Sequence, residues 1–162
     1  MCCTFPEFRM RPFRREDQAE ARRIILEGLG DHFGTIDQNM NHDLDDIMTT
    51  YTKAGHEFVV AELEAWMVGT GALLYEDNNL GRIVRVSVNP NFRGRGYGEA
   101  IVKHLIRLGQ KNGLGQIVVE TNHDWNSAIE LYQKCGFQPY ERDDESLYLR
   151  MDLGIEQQLV PV

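Results

Sequence analysis

No stretch of this 162-residue chain approaches the roughly 20 consecutive apolar residues that cross a bilayer, and its first residues lack a basic segment followed by an apolar one. The expectation is a cytoplasmic protein with no membrane partner. Cysteine is scarce: Cys2, Cys3 and Cys135 make no disulfide framework, because two adjacent thiols close no useful loop. The fold must then rest on its apolar core, which 162 residues are enough to build. Positive charge is short as well, with 17 Lys and Arg against 25 Asp and Glu. The net charge of −8 disfavours a nucleic acid, whose recognition needs clustered cations, and suits a cationic partner better. The five histidines lack a ligand spacing such as His-x3-His, so no metal is expected. Repeats, linkers and low-complexity segments are missing too, which predicts one domain over 1–162 with a core of about 9–153.

What is present is a regular alternation of strand and helix patterns. Arg9 to Phe13 reads as a strand, and Asp17 is placed to cap a helix with Ala21, Ile24, Ile25 and Leu29 near one face and Gly28 and Gly30 at its end. Leu44, Ile47, Met48 and Tyr51 recur at i, i+3, i+4, i+7 and predict a second helix before Gly55. Phe58 to Leu63, Trp66 to Leu74 and Arg82 to Val88 predict three strands joined by tight turns. A helix follows over Glu99 to Asn112, then a strand over Ile117 to Thr121. Asn126 is placed to cap a last helix carrying Ala128, Leu131, Tyr132 and Cys135 on one face, where Cys135 reads as a small core residue rather than a reactive thiol. Phe137 to Arg142 and Leu147 to Leu153 predict a terminal hairpin. Short turns demand antiparallel neighbours and helical connections demand crossovers, so the fold class is α/β (an α+β mixed sheet) of about seven strands and four helices.

The most informative segment is Arg93-Gly94-Arg95-Gly96-Tyr97-Gly98, a glycine-rich turn between a strand and a helix. The first N–H groups of a helix lack partners and carry partial positive charge, so anions collect there. Glycines let a phosphate approach the backbone and permit positive φ, and Arg93 and Arg95 add charge. A P-loop would continue with Gly-Lys-Ser/Thr, and a dinucleotide fold would show Gly-x-Gly-x-x-Gly after its first strand; neither spacing occurs here. The ligand this leaves is a pyrophosphate compound of another kind, or the turn is a mobile surface loop.

The run Val-x-Pro-x-x-Arg-Gly-x-Gly-x-Gly from Val88 to Gly98 resembles the acetyl-CoA signature of the GNAT superfamily of N-acetyltransferases, and the block Asn126 to Phe137 resembles that family's second motif. The resemblance implies the GNAT acyl-CoA N-acyltransferase fold, acetyl-CoA (coenzyme A) as cofactor, and an amine on a small molecule or peptide as acceptor. It also carries a homodimer among the expected partners. Its cofactor-binding residues would be Val86, Ser87 and Val88, the turn Arg93, Gly94, Arg95, Gly96, Tyr97 and Gly98, then Glu99, and Asn126 as partner of the cofactor arm or as a helix cap alone. The N–H of Val86 would polarise the acetyl carbonyl.

Two catalytic residues follow from the same resemblance. Tyr132 occupies the tyrosine of Leu-Tyr-x-Lys-x-Gly-Phe and would protonate the leaving thiolate; a phenol with a reference pKa near 10 stays protonated at neutral pH. The alternative is a core aromatic. Glu120, twelve positions earlier, matches the acidic base of the ribosomal-protein N-terminal acetyltransferase branch, with His123, Asp124, water or a purely structural carboxylate as alternatives. Amines need such a base, because alkylammonium groups also titrate near 10. The contrasting expectation is a silent acyl-CoA-binding sensor or scaffold, which would have lost the polar groups that Glu120, Asn126 and Tyr132 retain.

Overall fold

The computed structural model describes residues 7–37 and 39–154; Cys2 and Cys3 lie outside them. The strands β1 (Phe8–Pro12), β2 (Glu57–Leu63), β3 (Trp66–Tyr75), β4 (Leu80–Val88), β5 (Gln116–Asn122), β6 (Gln138–Arg142) and β7 (Ser146–Asp152) form a mixed sheet in the order β1-β2-β3-β4-β5-β7-β6. β4 and β5 run parallel, as the crossover through helix α2 (Tyr97–Lys111) requires, and the other neighbours are antiparallel. Among the described residues no helix is long and apolar enough to cross a membrane.

Each face of the sheet buries its own core. Helix α1 (Gln18–Phe33) lays Ala21, Ile24 and Ile25 against Phe58, Val60 and Ala72, with Leu44, Ile47 and Tyr51 closing the side. On the other face α2 and α3 (Asn126–Lys134) meet Val59, Leu73, Ile83, Ile117 and Val119. The period of two along β2, with Val59 facing one way and Phe58 and Val60 the other, is what lets one strand serve both cores. α2 sits close because β3 carries glycines beneath it: a Cβ at Gly69 or Gly71 would come within 2.6 Å of the Ile101 side chain.

Three local expectations are corrected. α1 runs through Gly28 and Gly30 and stops at Gly34, whose φ of +82° and N–H bond to the Gly30 carbonyl terminate it. Its buried stripe outweighs the roughly 1 kcal/mol that each interior glycine costs. The second helix is instead a 3-10 turn at His42–Leu44 and a π-helical turn at Met48–Thr52. Gln18 explains the break: its Nε2 donates to the Leu44 carbonyl (2.7 Å) and its Oε1 accepts from the Ile47 N–H (3.0 Å), taking two groups that a continuous helix would have paired. Neither proposed cap forms. The Asp17 carboxylate receives Arg11 (2.7 and 2.9 Å) and the Arg14 N–H, and α3 begins at Asn126 with Trp125 in the cap position and no side-chain cap bond. The Asp124 N–H is taken by the Asn122 side chain.

The feature that creates the site is a bulge in β4. Its pairing with β3 slips between Thr70 and Ala72, and Arg85 opposite takes a φ of +57°, a left-handed conformation that costs a non-glycine residue about 1–2 kcal/mol. The Thr70 hydroxyl donates to the Arg85 carbonyl at 2.9 Å and holds the kink. Alternation shifts there: Ile83 faces the α2 core, Val84 the α1 core, and then Val86 and Val88 face α2 again.

Candidate functional site

β4 and β5 pair only over Leu80–Ile83 against Gln116–Val119. Past the bulge they part, β4 continuing along β3 to Val88 and β5 along β7 to Asn122. The β4 backbone edge beyond Ile83 therefore has no ladder partner on the β5 side and is available to a ligand. Two cavities open in this notch. One, of about 720 Å³, lies between the β4 end, the glycine-rich turn and the start of α3; the other, of about 440 Å³, lies toward α1. Val86, Ser87, Trp125, Ala128 and Leu131 line both, so the cavities share a wall at the open edge of β4.

The glycine-rich turn forms one side of the larger cavity. Gly94 and Gly96 have φ of +76° and +86°, and no backbone or side-chain group among the described residues accepts from the N–H groups of Arg93 to Gly98. A row of unpaired amides at the start of α2 is the electrostatic arrangement that receives a diphosphate. Gly98 differs, since its φ is not positive and a Cβ there would make only ordinary contact with Leu131, at 3.4 Å. Two cations line the same cavity, each held by a carboxylate: Arg93 by the exposed Asp31 (2.9 Å) and Lys134 by the half-buried Glu99 (3.3 Å). Such surface pairs are worth no more than about 1 kcal/mol and exchange readily for a phosphate.

Of the expected cofactor-binding residues, Val86, Ser87, Val88, Arg93, Gly94, Gly96, Tyr97, Gly98, Glu99 and Asn126 line the larger cavity. Arg95 does not; its guanidinium lies over the Phe92 ring, 5.6 Å from the centroid. Asp124 lines the larger cavity, whereas His123 lines neither and is tied to Asp124 (2.8 Å) and the Asp144 carbonyl (2.6 Å). Cys135 is half-buried against the α2 core and burial pushes its thiol up, as suits a packing residue.

The smaller cavity holds both expected catalytic residues. Tyr132 is 8% exposed, packs edge-on against Phe137 with centroids 5.8 Å apart, and makes no side-chain hydrogen bond among the described residues. Burial pushes its phenol well above the ordinary tyrosine range, so it stays protonated. Glu120 is exposed on the α1 face of β5, opposite Tyr148 of β7, and enters no ion pair among the described residues.

Sequence reasoning missed the rest of this cavity. Arg85 reaches across to the 41–44 segment, where its Nε and Nη2 donate to the Asp43 carboxylate (2.9 and 2.6 Å) and Nη2 also to the Asn41 side chain (3.1 Å). The Tyr51 hydroxyl donates to the same carboxylate. Burial acts to raise the Asp43 carboxyl, but the bonds from Arg85 and Tyr51 outweigh it and hold it below the usual range. Tyr51 is pushed up to about 12 by burial and by Asp43. His32 and Phe33 at the end of α1 meet Trp125, His32 stacked at 4.2 Å and Phe33 edge-on at 5.9 Å, which joins α1 to the β5–α3 loop beside both cavities. A tryptophan immediately before the Asn126 block was the available signal.

Comparison with known proteins places this geometry. The acetyltransferase (GNAT) family model matches residues 13–137. A Mus musculus protein named probable N-acetyltransferase family 8 member 5 is 35% identical over 108 residues, 64% of this chain and 48% of that protein. The chain spans about half the length of the first curated relatives it matches. Among solved structures, a GNAT-family acetyltransferase from Staphylococcus aureus Mu50 superposes with a TM-score of 0.80 at 21% identity, covering 91% of this chain and 100% of that one. The Salmonella typhimurium protein yncA, solved with its cofactor acetyl-CoA, does so with a TM-score of 0.74 at 17% identity, covering 91% of this chain and 94% of that one. Motifs, sheet order and family match agree, and the chain belongs to the GNAT family of acetyltransferases.

Proposed function

We propose that the chain is an acetyl-CoA-dependent N-acetyltransferase that moves an acetyl group to a primary amine by direct attack in a ternary complex. The observation that carries this reading is the shared wall: a phosphate-receptive cavity and a second cavity holding Glu120 and Tyr132 meet at Val86 and Ser87, on the unpaired edge of β4. The residues present fit the cofactor, since the amides of Arg93 to Gly98 are unpaired and the cavity beside them has about 720 Å³. Those amides would hold its diphosphate, with Arg93 and Lys134 adding charge, and the β4 edge would hold its arm. When bound, acetyl-CoA supplies an acetyl group activated as a thioester.

The protein's residues then manage charge and protons. Glu120, directly or through water, takes the proton of the acceptor ammonium and frees the nitrogen lone pair. The Val86 N–H would polarise the acetyl carbonyl. Tyr132 would give its proton to the leaving sulfur, the second nitrogen proton, acidified as the amide forms, would return to the tyrosinate, and Glu120 would pass its proton to solvent. Thiol release from acetyl-CoA, followed across a library of primary amines, tests the reading: amine-dependent release is expected. Calorimetric binding of acetyl-CoA with no release against any amine would replace it with a silent binding module.

A further inference from the structure

The charges lining the smaller cavity define what can enter it. Its ionised groups are Asp43, Arg85 and Glu120. Arg85 is the one cation among them and is already matched, gripped through two nitrogens by Asp43, which also receives the Tyr51 hydroxyl. The pair is partly buried, with side-chain exposures of 20% for Arg85 and 27% for Asp43, unlike the more exposed Arg93–Asp31 pair at the neighbouring cavity. Glu120 is left as the single ionised lining residue with no ion partner among the described residues. The remaining wall is uncharged: Ile25, Leu29, Phe33 and Leu131 give it apolar surface, and Ser87 and Asn122 add neutral polar groups.

Building on the transferase reading, we infer that the acceptor is a monocationic primary amine with an apolar, aryl-sized body and no carboxylate beside the amine. The ammonium of such a molecule balances Glu120 and brings the site to neutrality. A free α-amino acid would add a second negative charge facing a guanidinium whose own charge Asp43 already cancels, and an uncompensated charge in a partly closed cavity is costly. The body lies against Phe33 and Trp125, whose rings meet edge-on with centroids 5.9 Å apart and form an aromatic corner. A volume of about 440 Å³ is of small-molecule size.

Phenethylamine and phenylalanine test this directly, because they share ring and amine and differ by the carboxylate. Initial rates of thiol release should give kcat/KM for phenethylamine at least about tenfold above that for phenylalanine. Asp43→Asn, which strips Arg85 of its counter-charge, should narrow or invert that ratio by about tenfold. Equal or better use of phenylalanine by the wild type overturns the inference while leaving the transferase reading intact. Absence of thiol release with every one of these amines and with the wider library sinks both. The wild-type ratio decides the matter even should Asp43→Asn fold poorly.

Discussion

Tyr132→Phe separates chemistry from architecture more cleanly than any other substitution in this protein. The change removes one oxygen from a ring that stays packed on Phe137 and the α2 core, so no cavity opens. The hydroxyl makes no hydrogen bond among the described residues, and its loss should move stability by no more than about 0.5 kcal/mol, whereas a structural hydrogen bond would cost about 1 kcal/mol or more. Loss of a general acid costs far more in rate, typically about 10²–10⁴-fold, equivalent to about 3–5 kcal/mol of barrier. Because Tyr132 lines the smaller cavity and not the larger one, acetyl-CoA affinity should hold. Thermal melting, calorimetry with acetyl-CoA and thiol-release kinetics on the same preparation give the three readouts. The expected pattern is an unchanged melt, an unchanged Kd and a collapsed kcat. An unchanged kcat refutes the acid role outright, and a melt lowered in step with kcat refutes the claim that the hydroxyl is catalytic rather than structural.

Other perturbations follow from the same geometry. Glu120→Gln should lower kcat and remove one ionisation from the pH–rate profile; an unaltered profile reassigns the base to water or another group. Gly96→Ala introduces a side chain at φ +86° with nothing within 4 Å, so its cost is conformational, about 1 kcal/mol, and should appear as a higher KM for acetyl-CoA with kcat retained. A fall in kcat at saturating cofactor would contradict it. Asp17→Asn breaks a largely buried pair, with side-chain exposures of 13% for Arg11 and 9% for Asp17. Glu62 still holds Arg11 at 2.9 Å, so the loss should be about 2–3 kcal/mol at pH 7, read by urea denaturation. Burial opposes but Arg11 and the Arg14 N–H hold the Asp17 carboxyl below its unfolded value near 4, so the wild type keeps this stability above about pH 4 and loses it as pH falls through the lower folded value. The gap between the two proteins should therefore shrink at pH 3, and a constant gap would show that the charge is irrelevant.

The fold was legible wherever a pattern had one physical cause. β2 and β3 are apolar runs bounded by turns, α2 carries a continuous apolar stripe, and Gly94-x-Gly96 precedes a helix because only glycine takes that turn cheaply; each could be located from residues alone. Patterns with two competing causes misled. The i, i+3, i+4, i+7 run of Leu44, Ile47, Met48 and Tyr51 does mark buried positions, yet Gln18, some thirty residues away, captures the backbone that a helix there needs. Gly28 and Gly30 look like a stop until the packing of Ile24 and Ile25 is known. The smaller cavity was least legible. Its Arg85–Asp43 pair joins positions 42 apart through a bulge at a residue whose type gives no hint of positive φ, while Glu120 and Tyr132 became candidates only through a motif.

The account rests on the amides of the glycine-rich turn receiving the diphosphate. Titration of the ¹⁵N-labelled protein with coenzyme A measures this residue by residue. The predicted result is that the largest amide shifts fall on Arg93 to Gly98 and on Val86 to Val88, with the β6–β7 hairpin unmoved. Shifts centred on that hairpin or on the Asp43–Tyr51 segment, with the turn silent, would contradict it.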